Sequence, residues 1–282
     1  MSERAVAADL ELAWSAVTAA GEAVMRWFGG ALEVTFKEPG QPLTEADLEA
    51  DRILRERLLS GSPEYGWLSE ETADRPDRLA RDRVWIVDPI DGTRSFIGGR
   101  PEFAISVGLA ERGRAILGIV SNPASGEIFW ALEGGGAYRR GRGGAETRLR
   151  VQADAGPRSL LASRSELAAG EFDPFRDSWQ VLPLGSTAYK LARVAAGDGS
   201  AFVSRGPKSE WDVCAGALLV QEAGGVVTDL DGRPIGYNRA DPYVHGIAAG
   251  SAADHAALID RVRSLPPGGR LDPRRAAAGE DD

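Results

Sequence analysis

The hydrophobic period changes at Pro63, and no other feature of the sequence limits the fold as much. Before Pro63 the spacing is helical. Val6, Leu10, Trp14, Val17, Val24 and Phe28 form the stripe of an amphipathic helix, which Gly29-Gly30 ends. Thr44-Glu45-Ala46-Asp47 predicts a second helix start, because a hydroxyl followed three residues later by an acid resembles a capping box; Leu48, Leu54 and Leu58 continue the stripe. After Pro63 the runs are short, apolar or alternating, and rich in β-branched and aromatic residues. Tyr65–Ser69, Val84–Val87, Phe103–Leu109, Ala115–Ser121 and Ile128–Leu132 therefore read as strands, with Asn122–Gly126 as a hairpin loop. Two helices followed by a run of strands predict an α+β layer and not a doubly wound parallel sheet.

A glycine- and arginine-rich stretch, Gly134 to Gly144, then leads to a soft boundary near Val151. Strands and helices alternate beyond it: Ser159–Ala162, Ala201–Val203, Val226–Asp229 and Gly246–Ala249 as strands, Ser186–Ala196, Asp212–Ala223 and Ala252–Val262 as helices. This predicts an N-terminal α+β half over 1–151, a C-terminal α/β half over 152–265, and a disordered tail over 266–282 that begins at Pro266-Pro267-Gly268-Gly269.

Composition narrows the chemistry. Cys214 is alone, so an internal disulfide or a cysteine-built zinc site is excluded, and His245 and His255 are too few for a multi-histidine metal site. Neither histidine has a nucleophile motif beside it. Carboxylates, hydroxyls, backbone and bound ions remain. The net charge of −9, from 33 basic and 42 acidic residues, argues against nucleic-acid polymers and anionic membranes as partners, while a small phosphorylated ligand stays open if a metal inverts the local charge. The N-terminal residues show no leader and no apolar run is long enough to span a membrane, so the expected location is cytoplasmic.

The most informative segment is Trp85-Ile86-Val87-Asp88-Pro89-Ile90-Asp91-Gly92-Thr93. An apolar strand runs into two carboxylates, with a proline between them that bars a regular helix and a glycine that permits a tight turn. Two acids and a peptide carbonyl at a strand end make an oxygen-only pocket suited to Mg²⁺, and the Gly92 and Thr93 amides could cradle a phosphate. Gly66-Trp67-Leu68-Ser69-Glu70-Glu71 is a second strand ending in paired acids, which repel unless a cation neutralises them. Ser209-Glu210-Trp211-Asp212 puts an acid at the start of an apolar helix, where it could cap the helix or reach a metal.

In order and spacing, Glu70-Glu71, Asp88-Pro89-Ile90-Asp91-Gly92-Thr93 and Trp211-Asp212-Val213-Cys214-Ala215-Gly216 resemble the three signature motifs of the inositol monophosphatase superfamily, magnesium-dependent and lithium-sensitive phosphatases. The resemblance implies a layered αβαβα sandwich of that type, sugar-phosphatase-like, with two or three Mg²⁺ ions. Glu70, Asp88 and the carbonyl of Ile90 would hold one ion; Asp88, Asp91 and Asp212 would hold a second. Thr93, hydrogen-bonded to Asp47, would help Glu70 orient and deprotonate the attacking water. A homodimer is compatible with the resemblance.

On the substrate side, Gly185-Ser186-Thr187 before a helix resembles the family's substrate loop, joined by Gly92, Thr93 and Asp212. Val203–Lys208 lacks the glutamate of the inositol-specific branch. Basic residues appear instead, Arg164, Lys190 and Arg205 or Lys208; the Gly185-Ser186-x-x-x-Lys190 pattern and the Ser209-Glu210-Trp211-Asp212 string are similar to the 3'(2'),5'-bisphosphate nucleotidase branch, where a second phosphate needs such cations. Glu166 departs from that branch, which usually has histidine there. The expected substrate is 3'-phosphoadenosine 5'-phosphate. Inositol monophosphate, histidinol phosphate and sugar bisphosphates are alternatives, as is a non-catalytic phosphometabolite-binding regulator. Trp14, Trp27, Trp67, Trp85, Trp130, Trp179 and Cys214 read as packing, and Arg164 and Lys190 have a second reading as solvated charges.

Overall fold

A computed structural model describes residues 3–38, 41–152 and 158–266; from residue 267 on, the tail expected to be disordered lies outside the described residues. The stripe that ends at Gly29 is α1 (Glu3–Trp27). An antiparallel hairpin follows, β1 (Val34–Glu38) with β2 (Gln41–Thr44), which apolar periodicity does not forecast because its strands are short and largely exposed. Then comes α2 (Glu45–Gly61), which starts where the capping sequence places it: the Thr44 N–H and hydroxyl both donate to Asp47 Oδ2, at 2.8 and 2.6 Å.

Seven strands build the larger sheet in chain order: β3 (Gly66–Ser69), β4 (Arg83–Asp91), β5 (Ala104–Glu111), β6 (Arg114–Asn122), β7 (Glu127–Leu132), β8 (Gly136–Arg140) and β9 (Glu146–Arg148). Only the pairing of β3 with β4 is parallel. A one-turn helix, α3 (Thr93–Ile97), follows β4. The stretch read as a glycine- and arginine-rich connection supplies β8 and β9, because its arginines are spaced among strand-forming residues.

The second sheet has the order β11-β10-β12-β14-β13. Its elements are β10 (Ser159–Ala162), α4 (Arg164–Ala168), β11 (Gln180–Pro183), α5 (Thr187–Ala195), β12 (Ala201–Ser209), α6 (Glu210–Glu222), β13 (Val226–Thr228), β14 (Tyr243–Gly250) and α7 (Ala252–Ser264). β10 is parallel to β11 and β12, whereas β14 runs antiparallel to β12 and β13.

Alternation along β4 sets the layers. Trp85 and Val87 pack with Val17, Ala20, Leu54 and Leu58 of α1 and α2; Val84 and Ile86 pack on the opposite face with α5 and α6. The second sheet closes over α5 and α6 through Phe202, Ile247 and Ala249, and its outer face packs Leu258 and Ile259 of α7. The order is helix, sheet, helix, sheet, helix, as the fold class expected. α6 lies unusually close to the larger sheet. A Cβ at Gly118 would stand 2.7 Å from Ala215 O, and one at Gly108 would stand 2.6 Å from Cys214 Sγ. That contact presses the first turn of α6, with Asp212, onto the end of β4.

Candidate active site

Pro89 donates no hydrogen bond, and the pairing of β4 with β5 shifts register between Asp88 and Asp91. The backbone between the two paired acids, Pro89 and Ile90, thereby leaves the ladder. Asp88 Oδ1 accepts the Ile90 N–H at 3.0 Å, while its buried Oδ2 has no hydrogen-bond partner. Parallel pairing sets Ser69 of β3 opposite Val87, and the Glu70 N–H donates to Val87 O at 3.2 Å, which brings Glu70 beside Asp88. Asp212 Oδ2 accepts the Ser209 N–H at 2.9 Å, so this acid caps α6. It also joins the cluster: one oxygen each from Glu70, Asp88 and Asp212 lie within 4.8 Å of one another.

Such a cluster resists ionisation. Burial pushes the Asp88 carboxyl well above the usual range, and the charges of Glu70, Asp91 and Asp212 push it further. Asp212 rises to about 7, first through burial and then through Asp91 and Glu70. The ammonium of Lys37, on β1, answers part of this negative charge: Nζ lies 2.7 Å from Glu70 Oε1 and 2.9 Å from Glu71 Oε1. An orphaned buried oxygen beside two convergent carboxylates is an all-oxygen donor set that fits a hard divalent cation such as Mg²⁺.

Asp91 stands apart from those three oxygens. Its Oδ2 accepts from Ser186 Oγ at 2.6 Å and from the Ala188 N–H, which ties β4 to the first turn of α5. Asp47 is fully buried and divides its two oxygens: Oδ2 serves the α2 cap and Oδ1 lies 3.2 Å from Thr93 Oγ1. Thr93 Oγ1 also lies 3.1 Å from Ile90 O, so its single hydroxyl proton is shared between a carboxylate and the carbonyl expected to face a metal. Burial raises the Asp47 carboxyl, against the lowering effect of its Thr44 hydrogen bonds.

These groups meet in a cleft of about 400 Å³, a size suited to a small metabolite. Glu70, Asp88, Asp91 and Asp212 line it together with Gly92, Thr93, Gly185, Ser186 and Thr187, and basic residues complete the wall: Arg94, Arg100, Arg164, Lys190 and Lys208. Lys190 is 1% exposed, so the solvated-charge reading fails for it; α5 is clamped between the two sheets. Its Nζ donates to Leu184 O at 3.4 Å and sits 5.3 Å from the centre of the Phe202 ring. Burial lowers this ammonium to about 8, with Asp91 opposing the shift. Glu166 accepts from Ser163 and Ser204 and lies 3.3 Å from Lys208 Nζ, so the glutamate at the divergent position neutralises a cleft cation.

Two donors expected to face substrate are already used inside the protein. The Gly185 N–H donates to Glu102 Oε2 at 2.8 Å, and both terminal nitrogens of Arg164 donate to the same carboxylate. Lys37, Glu102 and Arg100 were not selected by sequence reasoning. Each is a lone charge without a motif; Arg100 lines the cleft, and long-range pairing sets Lys37 against Glu70 and Glu102 against Arg164, two residues that line it. Arg205, by contrast, turns away and donates to Pro266 O. Cys214 is buried, His255 is buried against Thr228 at 2.8 Å, and His245 is exposed. Among the described residues no helix is long and apolar enough to cross a membrane.

Comparison with known proteins gives a consistent result. A model of the inositol monophosphatase family matches residues 6–266. An inositol-1-monophosphatase of Mesorhizobium japonicum is 36% identical over 259 residues, covering 86% of this chain and 92% of that protein. The 3'(2'),5'-bisphosphate nucleotidase CysQ of Aggregatibacter actinomycetemcomitans is 31% identical over 234 residues, covering 80% and 86%. Among solved structures, the extragenic suppressor protein suhB of Bartonella henselae superposes with a TM-score of 0.78 at 29% identity, covering 91% of this chain and 99% of that one.

Proposed function

The chain belongs to the inositol monophosphatase family and is a phosphatase of that family; within it, we propose that the substrate is a small phosphate monoester bearing a second phosphate, 3'-phosphoadenosine 5'-phosphate, hydrolysed to AMP and inorganic phosphate. The observation that carries this reading is the basic wall of the cleft, with Lys190 buried in it opposite the acid cluster. Burying an ammonium is costly; Asp91, Glu166 and Asp212 offset part of that cost, and a phosphate in the cleft would offset more of it.

Glu70, Asp88, Asp212, Asp91 and the Ile90 carbonyl would hold Mg²⁺, two or three ions by family resemblance. Bound there, Mg²⁺ supplies the positive charge that offsets a phosphate and the Lewis acidity that makes water a nucleophile at neutral pH. The chain's own residues do the rest. Glu70 and Thr93 Oγ1 orient the water, and Asp47 Oδ1, whose affinity for a proton burial has raised, draws the Thr93 hydroxyl proton toward itself. The Gly92 and Thr93 amides at the turn after β4 receive phosphate oxygens, and Ser186 and Thr187 border the leaving group. Lys190 and Arg164 face the phosphate that does not react.

Inositol monophosphate is the competing reading, favoured by the higher identity to the Mesorhizobium protein. Against it, β12 offers no acid between Val203 and Lys208 for ring hydroxyls. The test is a phosphate-release panel with Mg²⁺, with and without Li⁺, over the adenosine bisphosphate, inositol phosphates, histidinol phosphate and a sugar bisphosphate. The bisphosphate nucleotide is expected to have the highest kcat/KM; faster turnover of inositol phosphate would overturn the assignment.

A further inference from the structure

Glu102 sits between α3 and β5, on the polypeptide that carries Asp88 and Asp91, yet its hydrogen bonds go to the other side of the cleft. One carboxylate binds two separate elements there. Arg164, the first residue of α4, meets it through both terminal nitrogens, with NH2 2.7 Å from Oε1. The Gly185 N–H, in the loop that leads into α5, reaches Oε2 at 2.8 Å. Arg164 and Gly185 both line the cleft, whereas Glu102 stands behind them.

The packing leaves this arrangement little freedom. A Cβ on Gly185 would lie 2.5 Å from Glu102 O, and one on Gly92 would lie 3.0 Å from the same oxygen. Gly92, Gly185 and Glu102 are thus stacked backbone to backbone. Ser186, next in the loop, holds a left-handed φ of 62°, a strained conformation for a non-glycine residue, and its hydroxyl is fastened to Asp91. Burial alone would raise the Glu102 carboxyl, but Arg164 and the Gly185 N–H outweigh it and hold the group below its ordinary range, ionised. A guanidinium has five N–H donors, and a paired fork uses two of them. The remaining donors of Arg164 are available to a ligand in the cleft, in an orientation that Glu102 sets.

We propose that Glu102 is a positioning residue for substrate selection: by clasping Arg164 and the Gly185 amide it aims the N–H donors of Arg164 that it leaves unused at the non-reacting phosphate of a bisphosphorylated substrate, without touching that substrate. The inference rests on the bisphosphate reading of the cleft. It differs from a brace that merely stiffens the fold, because it concerns one phosphate of the ligand and acts through one arginine.

The test compares full-length protein loaded with Mg²⁺ on two substrates that share the scissile 3'-phosphate, 3'-phosphoadenosine 5'-phosphate and adenosine 3'-monophosphate. Glu102→Gln keeps the shape of the side chain and removes its charge. It is expected to lower the kcat/KM ratio of bisphosphate to monophosphate about 10-fold, chiefly through KM, the scale of one charge-assisted hydrogen bond. Arg164→Ala should lower the same ratio, and Glu102→Gln added to Arg164→Ala should lower it no further. Glu102→Asp, which keeps the charge on a shorter arm, should recover part of the ratio, and it serves as the reporter if Glu102→Gln does not fold. Should Arg164→Ala lower the ratio while Glu102→Gln does not, or should Glu102→Gln slow both substrates equally, the positioning role is overturned. Should Arg164→Ala leave the ratio unchanged, Arg164 does not read a second phosphate, and the bisphosphate reading loses that support along with the proposal.

Discussion

Asp47 Oδ1 lies 3.2 Å from Thr93 Oγ1 while Asp47 Oδ2 closes the N-terminus of α2 on the Thr44 N–H and hydroxyl. One buried carboxylate therefore couples the folding of a helix to the placement of a hydroxyl in the cleft. Replacing Asp47 would disturb both functions, but Thr93 can be altered alone. Thr93→Val keeps the branched shape and removes the hydroxyl. It is expected to lower kcat by about 10²–10⁴-fold, the usual share of a proton-handling group, while the thermal midpoint stays close to that of the parent protein. A loss of activity matched by a loss of folded protein would contradict the separation.

Lys37 offers a second test, through metal binding. Its ammonium occupies Glu70 Oε1, one oxygen of a carboxylate that a cation would also need, and it screens Glu71, which burial and Glu70 raise to about 7. In Lys37→Met the metal-free protein should melt at a lower temperature, because the acid pair loses its counter-charge. Saturating Mg²⁺ should then raise the midpoint by more than it raises that of the parent, since ligands stabilise in proportion to their affinity for the folded state. Differential scanning calorimetry with and without Mg²⁺ reads both changes.

The contact of α6 with the larger sheet should be intolerant of even one methyl group. Gly118→Ala would bring a Cβ to 2.7 Å from Ala215 O and 2.8 Å from Ala215 Cα, both backbone atoms that cannot rotate away. Overpacking of this kind costs about 1–3 kcal/mol, measurable by urea unfolding. Because the displaced helix carries Asp212, Mg²⁺ affinity should weaken in the same variant. Gly206→Ala, in β12 with open space around it, is the control and should change neither quantity.

Much of this arrangement was legible in the sequence wherever the determinant is local. The Thr44–Asp47 capping box fixes a helix start by itself, and the Asp88–Thr93 turn announces paired acids at a strand end within six residues. Asp212 could be read as a cap or as part of an acid cluster, and it is placed to serve as both. What the sequence hid depends on contacts between distant segments. Lys37 reaches Glu70 across 33 positions and Glu102 reaches Arg164 across 62, and neither has a motif around it. Lys190 resembles any helical lysine until two sheets close over α5. The strands β8 and β9 were concealed by glycines and arginines that usually mark loops.

A pH experiment tests a part of the fold far from the acids. His255 is buried with Nε2 2.8 Å from Thr228 Oγ1, and burial lowers its pKa below 6.5. The unfolded chain then binds a proton at a higher pH than the folded one. The stabilising contribution is fully present above 6.5 and is lost as pH falls from there through the depressed folded value. His255→Gln should flatten that part of the stability profile and leave the slope above 6.5 unchanged, as followed by urea midpoints across the range.

The account turns on Asp88, which clusters with Glu70 and Asp212 and whose buried Oδ2 has no hydrogen-bond partner. The most direct test is phosphate release by Asp88→Asn from 3'-phosphoadenosine 5'-phosphate with Mg²⁺, alongside circular dichroism and melting of the same sample. The amide preserves volume and removes one of the charges that crowd the cluster, so the variant should fold at least as stably as the parent. Its Mg²⁺-dependent activity should fall by several orders of magnitude, and Mg²⁺ should no longer raise its melting temperature as it does that of the parent. A folded Asp88→Asn protein that hydrolyses the ester within about tenfold of the parent rate would contradict the assignment of this carboxylate cluster as the metal-binding centre.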